Sequence, residues 1–308
     1  MNLNIIGIDI GGTKCAVISA DENAKLHKIN RFPTTDVKET LERIMDGVAE
    51  LKPEKNPLIG ISCGGPLDST KGIIQSPPNL PGWDDIPIVK MFTNQFGGRA
   101  FLMNDANAGA LAEWQFGAAR GYKNVLFFTH GTGMGSGIIL NGLLYEGTTG
   151  DAGEVGHIRL EKDGPVGYGK AGSFEGFCSG GGIAKLAEAR GYYPLMSGIK
   201  REITTKDIAI AAENGDQEAL DILALSGKYL GKALSMLIDV LNPEIIVLGS
   251  IYLRAGKFLK SAMMETLKEE TLARSLEACK IVPIGLGEDI GNYAAIAVAV
   301  YRGRIENG

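Results

Sequence analysis

Apolar positions recur along the chain in two rhythms, and the switches between them mark the elements. Leu3–Ile10 is a mostly apolar run, closed by the turn Gly11-Gly12-Thr13-Lys14 and followed by a second short run, Cys15–Ala20. Short apolar runs bounded by glycine predict strands, here strand, turn, strand. From Asp36 to Leu51 the residues Val37, Leu41, Ile44, Met45, Val48 and Leu51 recur at helical spacing. Leu58–Cys63 reads as a strand stopped by Gly64-Gly65-Pro66. The proline-rich stretch from Pro77 to Trp83 can be neither helix nor central strand, and predicts an ordered loop. Ala100–Met103 is a short strand, after which Asn104-Asp105-Ala106-Asn107 opens a helix over Ala108 to Phe116.

The next block repeats the opening theme. Asn124–Thr129 reads as strand, His130–Ser136 is glycine-rich, Gly137–Leu140 reads as strand, and Asn141-Gly142 is a hairpin-turn signal. Gly147 to Gly182 reads as loop-rich. Asp207 to Leu241 is helical, broken at Asn214-Gly215-Asp216 and stopped by Asn242-Pro243. Glu244–Leu248 predicts a strand tipped by Gly249-Ser250. Gly256–Thr271 predicts a helix, Lys280–Ile284 a strand, and Ile290 onward a terminal helix. Each half thus opens with a hairpin whose turn is glycine-rich. That weak duplication predicts two similar α/β domains, 1–118 and 119–289, with the terminal helix 290–308 packing back on the first. A ligand cleft between the two is expected.

Composition narrows the classes. With 44% hydrophobic and 22% charged residues, the chain of 308 residues is ordinary globular material. A net charge of −5 without a Lys/Arg-rich run gives no support to nucleic acid or an anionic membrane as partner. The longest apolar stretch, around Ala294–Val300, is too short to span a bilayer. No basic segment with a cleavage site opens the chain, so a cytoplasmic location is expected. The four cysteines, 15, 63, 178 and 279, form no C-x-x-C pair, which predicts reduced thiols. Glycine is the outlier, 43 of 308 residues or roughly twice the average share.

Those glycines carry the candidate chemistry. Asp9-Ile10-Gly11-Gly12-Thr13-Lys14 lacks P-loop spacing, and a strand follows it rather than a helix. The turn could instead offer backbone N–H groups to a phosphate, with the two glycines allowing close approach and positive φ. Thr13 adds a hydroxyl and Lys14 a cation. Asp9 fits such a site if a divalent cation accompanies the phosphate; otherwise this is a plain hairpin with an edge aspartate. Gly131, Thr132 and Gly133 form the matching second turn, and Gly249 with Ser250 is a third candidate contact, near a nucleoside. Asp105 is either a general base at a strand tip or an N-cap.

Strand–GGTK–strand, then Asn104-Asp105-Ala106-Asn107-Ala108, the second glycine hairpin, Gly153-Glu154-Val155-Gly156-His157 and Leu241–Gly249 together resemble the ROK family of sugar kinases and sugar-responsive repressors. The resemblance implies an α/β, two-domain, actin-like (ribonuclease H-like) ATPase fold with an interdomain cleft. It implies ATP·Mg²⁺ phosphorylation of a hexose at the 6-hydroxyl, with Asp105 as base. Gly65, Asn79, Asn104, Glu154, His157 and Glu175 are then the sugar-binding residues. Glucose is the first expectation. N-acetylmannosamine, N-acetylglucosamine, other hexoses and β-glucosides stay open, as do a polyphosphate donor, a non-catalytic sugar-binding regulator and an actin-like or Hsp70-like ATPase. The family habit implies a homodimer. Its repressors carry an N-terminal helix-turn-helix; with Asp9 nine residues from the start, none is expected here.

One stretch departs from the family. Many ROK proteins carry C-x-C-G-x-x-G-C-x-E after the histidine, and the three cysteines and that histidine bind zinc. Here Val166, Tyr168 and Ser173 stand at the thiolate positions. A lone histidine cannot close a tetrahedral zinc site, so no structural zinc is expected. Trp83, Phe174 and Tyr168 are candidates to pack the loop instead.

Overall fold

A computed structural model of the chain describes residues 5–21, 23–53, 55–193 and 202–305. Residues 3 and 4 of the expected first strand and 306–308 of the expected terminal helix lie outside them. The chain forms two compact units. One takes in residues up to Gly121, Glu146–Gly150 and the part from Gly285 on; the other takes in Tyr122–Tyr145 and Asp151–Ile284.

The first unit is built in chain order from β1 (Ile5–Ile10), β2 (Lys14–Ala20), β3 (Leu26–Pro33), α1 (Val37–Glu50), β4 (Leu58–Cys63), the two-residue ribbon β5 (Leu67–Asp68) and β6 (Ile73–Ile74), α2 (Ile88–Phe96), β7 (Arg99–Asn104) and α3 (Asp105–Phe116). Its sheet runs β3-β2-β1-β4-β7. The β3–β2 and β2–β1 pairings are antiparallel; β1–β4 and β4–β7 are parallel. Asp36 caps α1 by accepting the Glu39 N–H (3.0 Å), which starts the helix where the apolar spacing does. Ile6, Ile8 and Ile10 of β1 join Ile44 and Val48 of α1 and Phe92 of α2 in one core cluster. Trp83 belongs to that cluster, so it packs this unit and not the loop at 164–178.

The second unit contains β8 (Val125–Phe128), β9 (Ser136–Leu140), β10 (Leu143–Leu144), the ribbon β11 (Val166–Gly167) and β12 (Lys170–Ala171), α4 (Phe174–Cys178), α5 (Gly180–Ala189), α6 (Thr205–Glu213), α7 (Gln217–Leu241), β13 (Ile245–Leu248), α8 (Ser250–Glu270), α9 (Ala273–Ala278) and β14 (Lys280–Pro283). Its sheet order, β10-β9-β8-β13-β14, repeats that of the first unit: two antiparallel pairings, then two parallel ones. Asn141 and Gly142 both take positive φ, as a two-residue hairpin of this hand needs. Two expectations change here. The stretch read as loop holds α4 and the start of α5, and α8 begins at Ser250, not Gly256, so Gly249-Ser250 opens a helix directly.

The chain then returns to the first unit as α10 (Ile290–Ile305). Ala294 through Tyr301 are all buried, as suits a helix apolar on every side. Gly7 and Gly60 are register partners on β1 and β4. A Cβ on Gly60 would collide with the Ala295 carbonyl and lie 2.6 Å from the Ala299 N; one on Gly7 would lie 3.0 Å from the Ala295 Cβ. The glycine pair is the groove in which α10 lies. Arg302 of α10 donates to both carboxylate oxygens of Glu146 (2.6 Å each), which ties Glu146–Gly150 to this unit. Among the described residues no helix is long and apolar enough to cross a membrane.

Gly60→Ala should therefore force α10 off the sheet. We expect a loss of about 2–3 kcal/mol, the upper part of the usual overpacking range, read as a lower urea midpoint at unchanged slope. Wild-type stability in this variant would refute the close-approach role of Gly60.

Candidate functional site

In the first unit, chemistry gathers at the carboxyl ends of the parallel strands. Asp9 is the penultimate residue of β1, opposite Ser62 of β4, and Asn104 ends β7, opposite Cys63. In open α/β sheets this end is where ligands bind. Asn104, not Asp105, is the N-cap of α3: its Oδ1 accepts the Ala106 N–H at 2.9 Å. Asp105 is the first helical residue; its Oδ1 accepts the same N–H at 2.9 Å, and its surface is exposed. Protein packed around the Asp105 carboxyl pushes its pKa upward against that hydrogen bond. Asp9 is pushed up to about 6, by burial first and by the Asp105 charge second, against Lys14 and Arg31. A Cβ on Gly291, in the first turn of α10, would lie 2.6 Å from Asp9 Oδ2, so this glycine leaves room for the carboxylate. A carboxylate whose proton affinity is raised by burial and by a neighbouring carboxylate suits a hard cation bound through one or two of them with phosphate oxygens.

The first glycine turn closes with the Gly11 N–H on the Lys14 carbonyl (3.1 Å). Neither Gly11 nor Gly12 takes positive φ, contrary to the expectation. Their use is close approach: a Cβ on Gly12 would lie 2.6 Å from the Asn79 carbonyl oxygen. The proline-rich loop thus brings exposed Asn79 against the turn. Thr34 Oγ1 donates to the Gly11 carbonyl (2.6 Å), bracing the turn from β3's end and leaving Gly12, Thr13 and Lys14 exposed. Gly65 lies beside the cap residue, its Cβ position 3.4 Å from Asn104 Nδ2.

In the second unit, the turn from Thr129 to Gly135 is stapled to two helix starts. The His130 carbonyl accepts the Ile251 N–H (2.9 Å) and Ser250 Oγ (3.3 Å), and the Gly131 carbonyl accepts the Gly180 N–H (2.7 Å). His130 is wholly buried with positive φ; its Nε2 lies 3.1 Å from the Cys178 carbonyl. Burial drives its pKa down to about 4, so the ring is neutral and Nε2 is the donor. Gly131, Thr132 and Ser250 line a cavity of about 1020 Å³, together with Gly180 and Gly181 of α5 and Arg254 of α8. Gly133 and Gly249 fall outside that lining. Gly133 faces Glu175, and Gly249 lets the end of β13 press on the Thr129 carbonyl. Reading 147–182 as loop missed Gly180 and Gly181. The available signal was Ser179, whose side chain caps α5 through the Gly182 N–H (3.0 Å) ahead of Ile183, Leu186 and Ala187.

Glu154 and His157 are exposed; Glu154 precedes a single 3-10 turn, Val155–His157, and His157 ends it. Glu175 Oε2 accepts the Met134 N–H (3.0 Å), and Oε1 accepts the Tyr168 N–H (3.2 Å). One carboxylate therefore joins the glycine turn to the β11–β12 ribbon. The positions that carry thiolates elsewhere hold no ligands. Ser173 Oγ accepts the Gly176 N–H and donates to the Gly167 carbonyl, both at 3.1 Å. Lys185 donates to the Val166 carbonyl (2.7 Å) and Arg159 to the Ala171 carbonyl (2.8 Å). Phe174 packs edge-on against Phe128, and the Tyr168 ring packs on His157. Among the described residues no group of three or more His, Cys, Asp or Glu could hold a metal ion. Zinc does not fit this stretch.

A five-stranded sheet of one order built twice, each opening with a glycine-turn hairpin, defines a two-domain actin-like (ribonuclease H-like) ATPase. The ROK family model matches residues 5–300, and the chain belongs to the ROK family. It is 31% identical to a glucokinase of Thermotoga maritima, over 96% of this chain and 97% of that one. A ROK family glucokinase from Streptomyces griseus, solved in complex with glucose and AMPPNP, superposes with a TM-score of 0.77 at 27% identity, covering 95% of this chain and 98% of that one. A xylose repressor of Bacillus subtilis is 27% identical over 75% of this chain and 58% of its own.

The raised Asp9 has a sign that can be checked. Below pH 4 it is protonated folded and unfolded alike. As pH rises from about 4 to 6 the unfolded state releases the proton first, so this group lowers stability, and the loss persists above pH 6. Asp9→Asn should make the ligand-free protein more stable at pH 7 by roughly 1–3 kcal/mol, with the gain fading towards pH 4. Urea unfolding at the two pH values tests it; an Asn variant weaker than wild type at pH 7 contradicts it.

Proposed function

We propose that this chain is an ATP-dependent hexose kinase that phosphorylates the sugar 6-hydroxyl, with glucose as its first substrate. The observation that carries the reading is the division of labour at the end of β7. Asn104 is the N-cap, and Asp105, whose Oδ1 shares the Ala106 N–H, keeps an exposed carboxylate just past the end of β7 whose charge reaches Asp9.

Phosphoryl transfer to an alcohol asks for phosphate cradling, a metal and a proton acceptor. Asp105 accepts the proton of the attacking hydroxyl. The raised pKa direction brings it nearer the working pH, where a general base is most effective. Asp9 would hold Mg²⁺ or its water shell, and the ion would neutralise charge on the nucleotide phosphates. Backbone N–H groups of Gly12 and Thr13, with the Lys14 cation, receive phosphate oxygens, while the Gly11 N–H closes the turn on the Lys14 carbonyl. In the second unit Gly131, Thr132 and Ser250 line the 1020 Å³ cavity, whose size suits a nucleoside. Gly65, Asn79 and Asn104 of the first unit, and Glu154, His157 and Glu175 of the second, are the sugar-recognising groups. An unmet hydroxyl partner in such a site is costly, which makes these polar groups discriminating.

The repressor relative keeps a second reading in view, a sugar-binding regulator without catalysis. The open Asp105 speaks for the enzyme. A coupled assay of ADP release over glucose, N-acetylmannosamine, N-acetylglucosamine, allose, fructose and β-glucosides separates the two, with glucose expected to give the highest kcat/KM. Sugar binding without ADP release from any of them would favour the regulator. Asp105→Asn should fold and bind sugar while turnover falls by about 10²–10⁴-fold. An Asn variant that keeps more than about a tenth of turnover, well short of the loss a positioned base implies, removes Asp105 as the base.

A further inference from the structure

The metal-free stretch raises a physical problem. An exposed histidine that must read a sugar hydroxyl needs its ring held, and a zinc ion bound to that ring would hold it. Here the residue at one of the thiolate positions meets the histidine directly. The Tyr168 and His157 rings lie 4.3 Å apart between centroids, tilted by 33°. Tyr168 reaches this position from a left-handed backbone (φ 51°), a conformation that a bulky residue adopts only under local constraint. A Cβ on Gly156 would lie 3.2 Å from Tyr168 Cε2, so the residue before His157 is shaped to leave room for the tyrosine ring. Tyr168 also donates its backbone N–H to Glu175 Oε1 (3.2 Å). Lys170, two residues on, donates to the His157 carbonyl at 2.7 Å. The β11–β12 turn thus touches His157 at ring and backbone, and Glu175 at its carboxylate.

We propose that Tyr168 is a positioning residue: in place of a metal it fixes the His157 ring by packing and the Glu175 carboxylate by its N–H, and so sets the affinity for the sugar. The inference rests on the hexose-kinase reading for its sugar, not for its geometry. A ring left to rotate must be ordered at each binding event, and that cost falls on sugar affinity. Glu175 also holds the second glycine turn through the Met134 N–H, so a variant that keeps the Tyr168 N–H should leave the nucleotide groups undisturbed.

Tyr168→Gly suits the test. Tyr168 is half exposed, so its removal hollows no core, and glycine accepts the positive φ while keeping the N–H. Tyr168→Phe keeps the ring. By titration calorimetry without nucleotide, the Gly variant should bind glucose about 3–30-fold more weakly than wild type, the scale of one aromatic pair plus ring ordering. Its KM for ATP should be unchanged, and the Phe variant should behave as wild type. The chain has three histidines, so imidazole proton NMR is readable. The His157 signal, shifted upfield by the tyrosine ring current in wild type and Phe, should return downfield in Gly. Should Gly loosen the loop, Tyr168→Leu removes the aromatic face at the same backbone and gives the same reading. Wild-type sugar affinity in Gly or Leu, or an unmoved His157 signal, overturns the proposal. So does one zinc per chain by elemental analysis. If no sugar binds even the wild type, the kinase reading fails, and the His157 signal still decides whether Tyr168 orients the ring.

Discussion

Glu113 near the end of α3 is the constraint on which the first unit depends. Its side chain is fully buried, and its carboxylate accepts three backbone N–H groups: Ala118 at 2.7 Å, Gly285 at 3.0 Å and Leu286 at 3.0 Å. Ala118 lies just before the chain leaves this unit, and Gly285 begins its return. A buried carboxylate is tolerable only when fully hydrogen-bonded, and bonds to a charged acceptor are the strong ones. Glu113 therefore fixes the residues from which α10 departs. The path of α10 in the Gly7–Gly60 groove sets Gly291 against Asp9. A capping-type interaction on one connection is thus transmitted, by rigid elements, to a carboxylate of the candidate site.

Much of this was legible in local pattern. The β1 turn, β4, the β7-to-α3 switch, the break at 214–216 and the terminal helix are marked by apolar runs with glycine, asparagine or proline punctuation. What escaped lacked one of these. β3 (Leu26–Pro33) has no buried residue and reads as polar. α5 opens with three glycines, and their low helix propensity hid it in a loop. α8 starts at Ser250, where the adjoining strand masked the beginning of its period. The site was legible as residue types and less so as roles. Asn104 and Asp105 are both good caps, and only the backbone decides which is used. The bonds from Glu175 to Met134 and Tyr168 join segments that no local rule relates. Trp83 looked available to the 164–178 loop because composition does not say which unit a side chain packs.

The loop at 164–178 shows how a fold keeps a shape when a metal's ligands are gone. Its turns are carried by Gly164, Gly169 and Gly172 at positive φ, and its carbonyls are taken by Lys185, Arg159 and the Ser173 hydroxyl. Each contact is weak and exchangeable beside a zinc bond. Together they satisfy the backbone groups of the loop, while Phe174, Phe177 and Cys178 anchor its end in the core.

The two halves repeat one sheet order and have been put to different physical use. Two residues before the first glycine of each turn stand Asp9 and Thr129. Thr129 Oγ1 accepts the Gly135 N–H of its own turn at 3.0 Å, so the second turn is braced by a neutral group that gains from burial. Asp9 is an ionisable group held against its own solvation, with Asp105 nearby adding repulsion. Stability alone would favour a threonine-like neutral residue at both places. A carboxylate retained at the first, where the fold is the worse for it, is understandable if the charge is used by a bound cation. The asymmetry points the same way as the open Asp105: at corresponding places the first unit keeps an ionisable group and the second a neutral one.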